Sequence, residues 1–284
     1  MRVDRVEEDI YVFVSSLYAQ VTATVMLTPQ GAILVDTMPF PTETREIAAF
    51  IEEHLGPDAV RYVINTHHHA DHVFGNYLFP SAQVIAHDTC REMMERSGRA
   101  GLARAKRESP ALAEVELRLP DMTFEKQMHL RLGHQHMRLF HTPGHSPDAL
   151  GVFVLGDKVL IAGDTVMPVP YIVSGSVDGT RRVLQSLRAL KPDFLVQGHG
   201  DVLLRGEVEE TIDASLTYLD CAVSQVSELV ARGAPPEAVR EIDIESCGLS
   251  RIPLDGLVSR LHTDNLTALY RQMRRGRSPN GSRS

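Results

Sequence analysis

Residues 66–72 read Thr-His-His-His-Ala-Asp-His. Four imidazoles and a carboxylate within seven positions cannot be packed into an apolar core without partners. The preceding RYVINT reads as a strand. Side chains alternate along a strand, so His67 and His69 emerge on one face as long as the extended conformation lasts. A turn then lets Asp71 and His72 approach from a second direction. Neutral imidazoles with a carboxylate suit borderline divalent cations, Zn²⁺ above all, with Fe and Mn as alternatives. Three more candidates follow at the ends of later strand patterns: His145 in TPGHS, Asp164 in AGDT and His199 in QGHG. Each stands beside a glycine, which lets backbone and ion come close. A surface loop that merely happens to be rich in histidine does not account for that recurrence. Seven ligands are too many for one tetrahedral ion and suit two ions that share a carboxylate, with Asp164 as the natural bridge.

The rest of the composition is that of an ordinary globular chain: 284 residues, 43% hydrophobic and 23% charged, enough for one large domain or one domain with an appendage. The formal net charge of −8 argues against a nucleic-acid partner. No run approaches the roughly 18 apolar residues of a membrane span, and the N-terminal MRVDRVEEDI is charged where a secretory signal would be apolar. The expectation is a cytoplasmic protein with a small-molecule substrate and neither membrane nor nucleic-acid partners. Cys90, Cys221 and Cys247 share no short spacing, so they are expected to be inert buried residues without a disulfide.

An internal echo organises the chain. GAILVDT, a helix and YVINTH are followed later by KVLIAGDT, a helix and FLVQGHG. Asp36 precedes His67 by 31 residues, and Asp164 precedes His199 by 35. Such lengths suit two strand–helix–strand units of parallel strands, and so an α/β sandwich whose polar strand ends meet at one edge. In the first unit the helix PTETREIAAFIEEHLG has Thr42 or Thr44 as its expected cap and Ile47, Phe50, Ile51 and Leu55 on one face. YVFVSSLYAQ reads as a strand, 88–108 as a polar helical stretch, and MHLRLGHQHMRLFHT as a hairpin. Beyond Arg205 the pattern turns helical, with a long helix stopped by Gly233 and further helices in PPEAVREI and PLDGLVSRLHTDNLTALYRQM. The expected division is 1–204 for the catalytic domain, 205–275 for a helical extension and 276–284 for a flexible basic tail. The extension either caps the sandwich and shapes the pocket or builds a homodimer interface.

The HxHxDH run, with single His, Asp and His ligands following in order, resembles the metallo-β-lactamase-fold hydrolase superfamily over about residues 12–200. That resemblance implies an αβ/βα four-layer sandwich with a dinuclear site. One metal would be held by His67, His69 and His145, the other by Asp71, His72 and His199, and Asp164 would bridge them. Asp36 would sit behind a ligand histidine or its loop. Class B1 β-lactamases carry Cys where this chain has Asp164, which argues against a β-lactam as native substrate. Glyoxalase II shares all seven ligands, but its glycine- and arginine-bearing stretch after the bridging Asp is replaced here by TVMPVPYIVSGSVDG. Flavodiiron proteins place Glu where this chain has His69. The set agrees best with lactonase-like and other general hydrolases.

The implied chemistry is attack of a metal-bridging hydroxide on a small ester, lactone or thioester, with amides second. Asp71 would orient the hydroxide besides binding metal, and Tyr171 could donate to the substrate carbonyl. No GxSxG elbow is present. Two other activities use related ligands: a persulfide dioxygenase with one iron on His67 or His69, His145 and Asp164, and a phosphodiesterase or nuclease, which the acidic balance disfavours. His68 reads as structural, and His87, His129, His134, His136, His141 and His262 as ordinary polar residues. Specificity is expected from loops over the metal edge, at 88–120 and 166–176.

Overall fold

The computed structural model describes residues 1–276 of the chain, and the expected tail lies outside the described residues apart from its first position. Two sheets face each other. The first runs in the order β1 (Arg2–Glu7), β2 (Ile10–Val14), β3 (Thr22–Thr28), β4 (Gly31–Val35), β5 (Val60–Ile64), β6 (Gln83–His87) and β7 (Met122–Phe124). Its early strands pair antiparallel, and β4 to β7 are parallel. The second sheet contains β8 (Gln127–Leu132), β9 (Gln135–His141), β10 (Leu150–Val154), β11 (Val159–Gly163), β12 (Phe194–Gln197) and β13 (Val202–Leu204), in the mirrored order β13 to β8. Here only β11 and β12 are parallel.

Ile10, Val12, Ile33, Ile64 and Ile85 of the first sheet meet Leu139, Val152, Ile161 and Val196 of the second in a core between them. The outer face of the first sheet buries Ile47 and Ile51 of α1 (Pro41–Leu55). Three short helical segments cover the loops after β5 and β6: α2 (Ala70–Val73), α3 (Asp88–Met93) and α4 (Arg99–Glu108), the last two joined through one widened turn. The outer face of the second sheet carries α5 (Val177–Arg188), α6 (Arg205–Ala231) and α7 (Leu257–Gly276). One apolar cluster joins Leu160 and Leu195 to Leu184, Leu219, Val226 and Leu266, so the C-terminal helices form the fourth layer. The architecture is a four-layer α/β/β/α sandwich. Among the described residues no helix is long and apolar enough to cross a membrane.

The two echoing units, β4–α1–β5 and β11–α5–β12, are both parallel strand–helix–strand crossovers. Four local expectations need correction. The strand read through YVFVSSLYAQ stops at Val14, because Glu43 is buried and accepts from Ser15 Oγ at 2.6 Å and Ser16 N at 2.8 Å, curling the chain into a loop. Neither Thr42 nor Thr44 caps α1: Pro41 occupies the first turn, where its missing N–H needs no partner, and Phe40 is the N-cap residue. PPEAVREI forms only 3₁₀ turns, over Pro236–Glu241. Finally, Cys221 on α6 and Cys247 are bonded, their Cα atoms 5.4 Å apart. Packing of α6 against the segment that precedes α7 joins residues 26 positions apart, which spacing alone does not disclose. Such a bond persists in oxidising surroundings and is opened by reducing thiol pools. Cys90 alone is a free, buried thiol.

Candidate metal centre

All seven predicted ligands meet where the two sheets open at one edge. β5 ends at Ile64, so His67 and His69 are placed by the loop that follows and not by strand alternation. That loop is held on both sides. Asp36, at the end of β4, accepts from Thr66 N at 2.8 Å and Thr66 Oγ1 at 2.6 Å, and it meets His72 Nδ1 at 2.8 Å. Asp148 is fully buried and accepts from His68 N at 2.8 Å, with His68 Nδ1 at 3.0 Å. His68 therefore faces away from its neighbours as an anchor. Asp71 and His72 lie in α2, a single turn. From the second sheet, His145 follows β9, Asp164 follows β11 and His199 follows β12. Gly163 takes φ +52° at the end of β11, and its bare Cα lets Thr66 pack against it. At Gly198 a Cβ would collide with Asp164 Oδ1.

The donor atoms fall into two groups, His67, His69, His145 and Asp164 in one and Asp71, His72 and His199 in the other, with the atoms of each within 4.8 Å of one another. Asp164 divides its oxygens between them. Oδ2 lies 3.6 Å from His67 Nε2 and 3.4 Å from His145 Nε2, while Oδ1 lies 3.2 Å from His72 Nε2 and 3.5 Å from His199 Nε2. Asp71 Oδ2 is 3.3 Å from His199 Nε2. Tautomers are set from behind: His145 Nδ1–H donates to Tyr171 O and His199 Nδ1–H to Ala19 O, both at 2.9 Å. Each Nε2 therefore faces the centre, as a metal ligand must. His72 Nε2 and Asp164 Oδ1 are buried with no hydrogen-bond partner. Two such atoms aimed at one another's site are expensive unless a cation satisfies them, so the residues fit a divalent pair.

Electrostatics separate the groups. Burial and neighbouring imidazoles push His67 well below its ordinary value, and burial takes His69 down to about 4. His145 is also lowered, chiefly by burial. The opposite holds on the other side of Asp164. Burial opposes protonation of His72 and His199, but Asp164 and the other carboxylates outweigh it, raising His72 well above its ordinary value and His199 to about 10. Burial would raise both carboxylic acids, yet the facing imidazoles hold Asp71 down at about 2 and Asp164 well below its ordinary value.

A cavity of about 470 Å³ opens onto these ligands. Tyr171 lines it, as the sequence suggested, together with Met167 of the loop after Asp164 and Arg104 of α4. Tyr18 lines it too, and Asp71 nearby raises its phenol to about 12. Leu254, Leu257 and Leu261 complete the wall, so the C-terminal helical segment shapes the pocket. Sequence reasoning missed Asp148, Glu43 and Tyr18. The only available signal was a carboxylate in GHSPD, next to a ligand, where a turn residue alone would serve.

Asp148 yields a stability prediction. His68 holds the buried carboxyl at about 2, against burial, which would raise it. A depressed value means the stabilisation is full above the ordinary carboxylate range and fades as pH falls through about 2. Asp148→Ala is expected to cost about 2 kcal/mol at pH 7, read as a lower urea midpoint. The deficit should shrink below pH 3, and an unchanged midpoint at neutral pH would remove the anchor role.

The sequence profile of the metallo-beta-lactamase superfamily matches residues 18–199. Among curated relatives, the hydroxyacylglutathione hydrolase of Rhodopseudomonas palustris (strain HaA2) is 26% identical over 176 residues, 61% of each chain. That of Acidiphilium cryptum (strain JF-5) is 28% identical over 185 residues, 64% of this chain and 68% of the relative. The chain thus spans about three fifths of the first of these relatives. Among solved structures, a metallo-beta-lactamase from Pontibacter korlensis superposes with TM-score 0.62 at 18% identity, covering 75% of this chain and 97% of that one. The sec-alkylsulfatase Pisa1 from Pseudomonas sp. reaches 0.71 at 18% identity, covering 95% of this chain and 50% of that one. Profile, ligand order and four-layer sandwich agree: the chain belongs to the metallo-beta-lactamase superfamily.

Proposed function

We propose that the protein is a dinuclear metallohydrolase, of zinc type, that cleaves a small thioester, ester or lactone. The observation that carries this reading is Asp164, whose two oxygens face two separate ligand groups across the opening of one cavity. His67, His69 and His145 would hold one ion, Asp71, His72 and His199 the other, with Asp164 shared. When bound, such a pair would bring the pKa of a coordinated water toward neutrality and polarise a carbonyl. The chain's own part is positioning. Asp71, kept ionised beside His72 and His199, lines the cavity as a carboxylate that can accept a hydrogen bond and orient a nucleophile there. Tyr171 and Tyr18 stand at the wall, where a phenol can donate to a substrate oxygen. Met167, Leu254, Leu257 and Leu261 exclude water and suit an apolar acyl group. The name of the hydroxyacylglutathione hydrolases supports a thioester as first choice.

The test is metal content by plasma mass spectrometry on protein purified without added metal, followed by a panel of thioesters, lactones and a β-lactam. Two ions per chain and turnover of a thioester or lactone that stops on chelation are expected. One iron per chain with oxygen uptake on a persulfide would replace this reading with the dioxygenase.

A further inference from the structure

Behind His145 runs a chain of buried polar groups that leads away from the metal centre into the C-terminal helices. Tyr171 O accepts from His145 Nδ1 at 2.9 Å. The two peptide groups flanking Tyr171 are both held by Asn265 of α7: its Nδ2 donates to Pro170 O at 2.7 Å, and its Oδ1 accepts from Ile172 N at 2.9 Å. The second Nδ2 hydrogen goes to Tyr218 Oη on α6 at 3.1 Å. Tyr218 Oη lies 3.0 Å from His262 Nδ1, and His262 Nε2 lies 3.0 Å from Ile242 O. A carbonyl only accepts, so His262 Nε2 carries the proton, its Nδ1 accepts, and Tyr218 must donate to it. Tyr218 then has a lone pair left for Asn265, and every hydrogen in the chain has one consistent direction. Asn265 and Tyr218 are fully buried and His262 is 3% exposed.

We propose that Asn265 is a positioning residue for the metal centre: by gripping both sides of Tyr171, it fixes the carbonyl that orients His145. The inference rests on the reading of His145 as a ligand. Three features single out Asn265. It contacts the 170–172 backbone directly, where Tyr218 and His262 act only through it. Its amide alone supplies a donor and an acceptor at the spacing of Pro170 O and Ile172 N. Of the four ligand histidines whose Nδ1 points away from the centre, His145 alone depends on this loop: His72 is set by Asp36, His199 by Ala19, and His67 meets Thr66 Oγ1 at 3.1 Å. A displaced Tyr171 should therefore disturb one ligand group and spare the other.

The experiment is chelator competition with Zn²⁺, and the visible absorption of the Co²⁺-loaded protein, for wild type, Asn265→Ala and Tyr218→Phe. Wild type should bind two ions; if it binds none, the metal-site reading itself falls and takes this inference with it. In Asn265→Ala, affinity at the group containing His145 should drop about tenfold with a changed Co²⁺ spectrum, while the group of Asp71, His72 and His199 stays within about twofold. Tyr218→Phe keeps both grips on the loop, so it should lower the melting temperature and leave both affinities within about twofold. Should Asn265→Ala fail to fold, Asn265→Ser is measured in its place with the same expectation. Unchanged affinities with two ions bound in wild type, or equal losses at both groups, would reduce Asn265 to a packing residue.

Discussion

Metal uptake by Asp71, His72 and His199 is expected to strengthen about tenfold per pH unit between pH 6 and 8, while uptake by the group of His67, His69 and His145 stays nearly flat. The cause is who holds the protons beforehand. His72 and His199 stand above their ordinary values, His199 at about 10, which favours their protonated forms before an ion arrives. A cation must displace those protons, and mass action then makes its affinity rise with pH. His67, His69 and His145 are lowered and offer free lone pairs across the same range. An ion held by the first group would weaken the hold of His72 and His199 on their protons, so the slope is expected to fall short of the two-proton limit. Titration calorimetry at pH 6, 7 and 8, in buffers of differing ionisation heat, reads both the affinity and the protons released. Equal slopes for both ions would refute the assignment of protons. So would filling of the second group before the first at pH 6.

Asp71→Ala should lower kcat by about 10²- to 10⁴-fold, because it removes at once a metal-binding oxygen and the carboxylate that orients the nucleophile. Asp71 is a carboxylate facing the cavity, and its Oδ2 meets the two histidines of its own group. Removing it leaves Asp36, Thr66 and Asp148 in place, so the far-ultraviolet circular dichroism should not change. Asp71→Asn separates coordination from charge: it keeps an oxygen for the ion but carries no negative charge to orient the nucleophile. It should retain more metal than the alanine variant and still be slow. Near-normal turnover with two ions bound would show that Asp71 serves coordination alone.

The cluster of candidate ligands was legible because such residues are costly to bury together anywhere but at a cation, and because they recur at the ends of strand patterns. Spacing also exposed the two crossovers, since parallel neighbours require a connection of that length. What stayed hidden are single polar residues whose partners lie far along the chain. Asp148 meets His68 across 80 positions, Glu43 meets Ser15 across 28, and Asn265 meets Ile172 across 93. A lone Asp in a turn or a lone Asn in an amphipathic helix has no local signature, because its value depends on what the fold brings opposite. The disulfide escaped for the same reason: Cys221 and Cys247 become neighbours only through packing of the C-terminal segments. The strand ending at Ile64 was missed because nothing in NTHHH marks where pairing with β6 gives way to Asp36 and its hold on Thr66.

The two sheets divide the candidate ligands in a way that bears on how the halves depend on each other. His67, His69, Asp71 and His72 come from the loop after β5 and the turn of α2, whereas His145, Asp164 and His199 all follow strands of the second sheet. Cut in the turn between β7 and β8, the chain would give two fragments, neither of which carries a complete ligand group. Each ion would then act as a rivet through the seam, so that reassembly of separately produced fragments would be gated by the supply of metal.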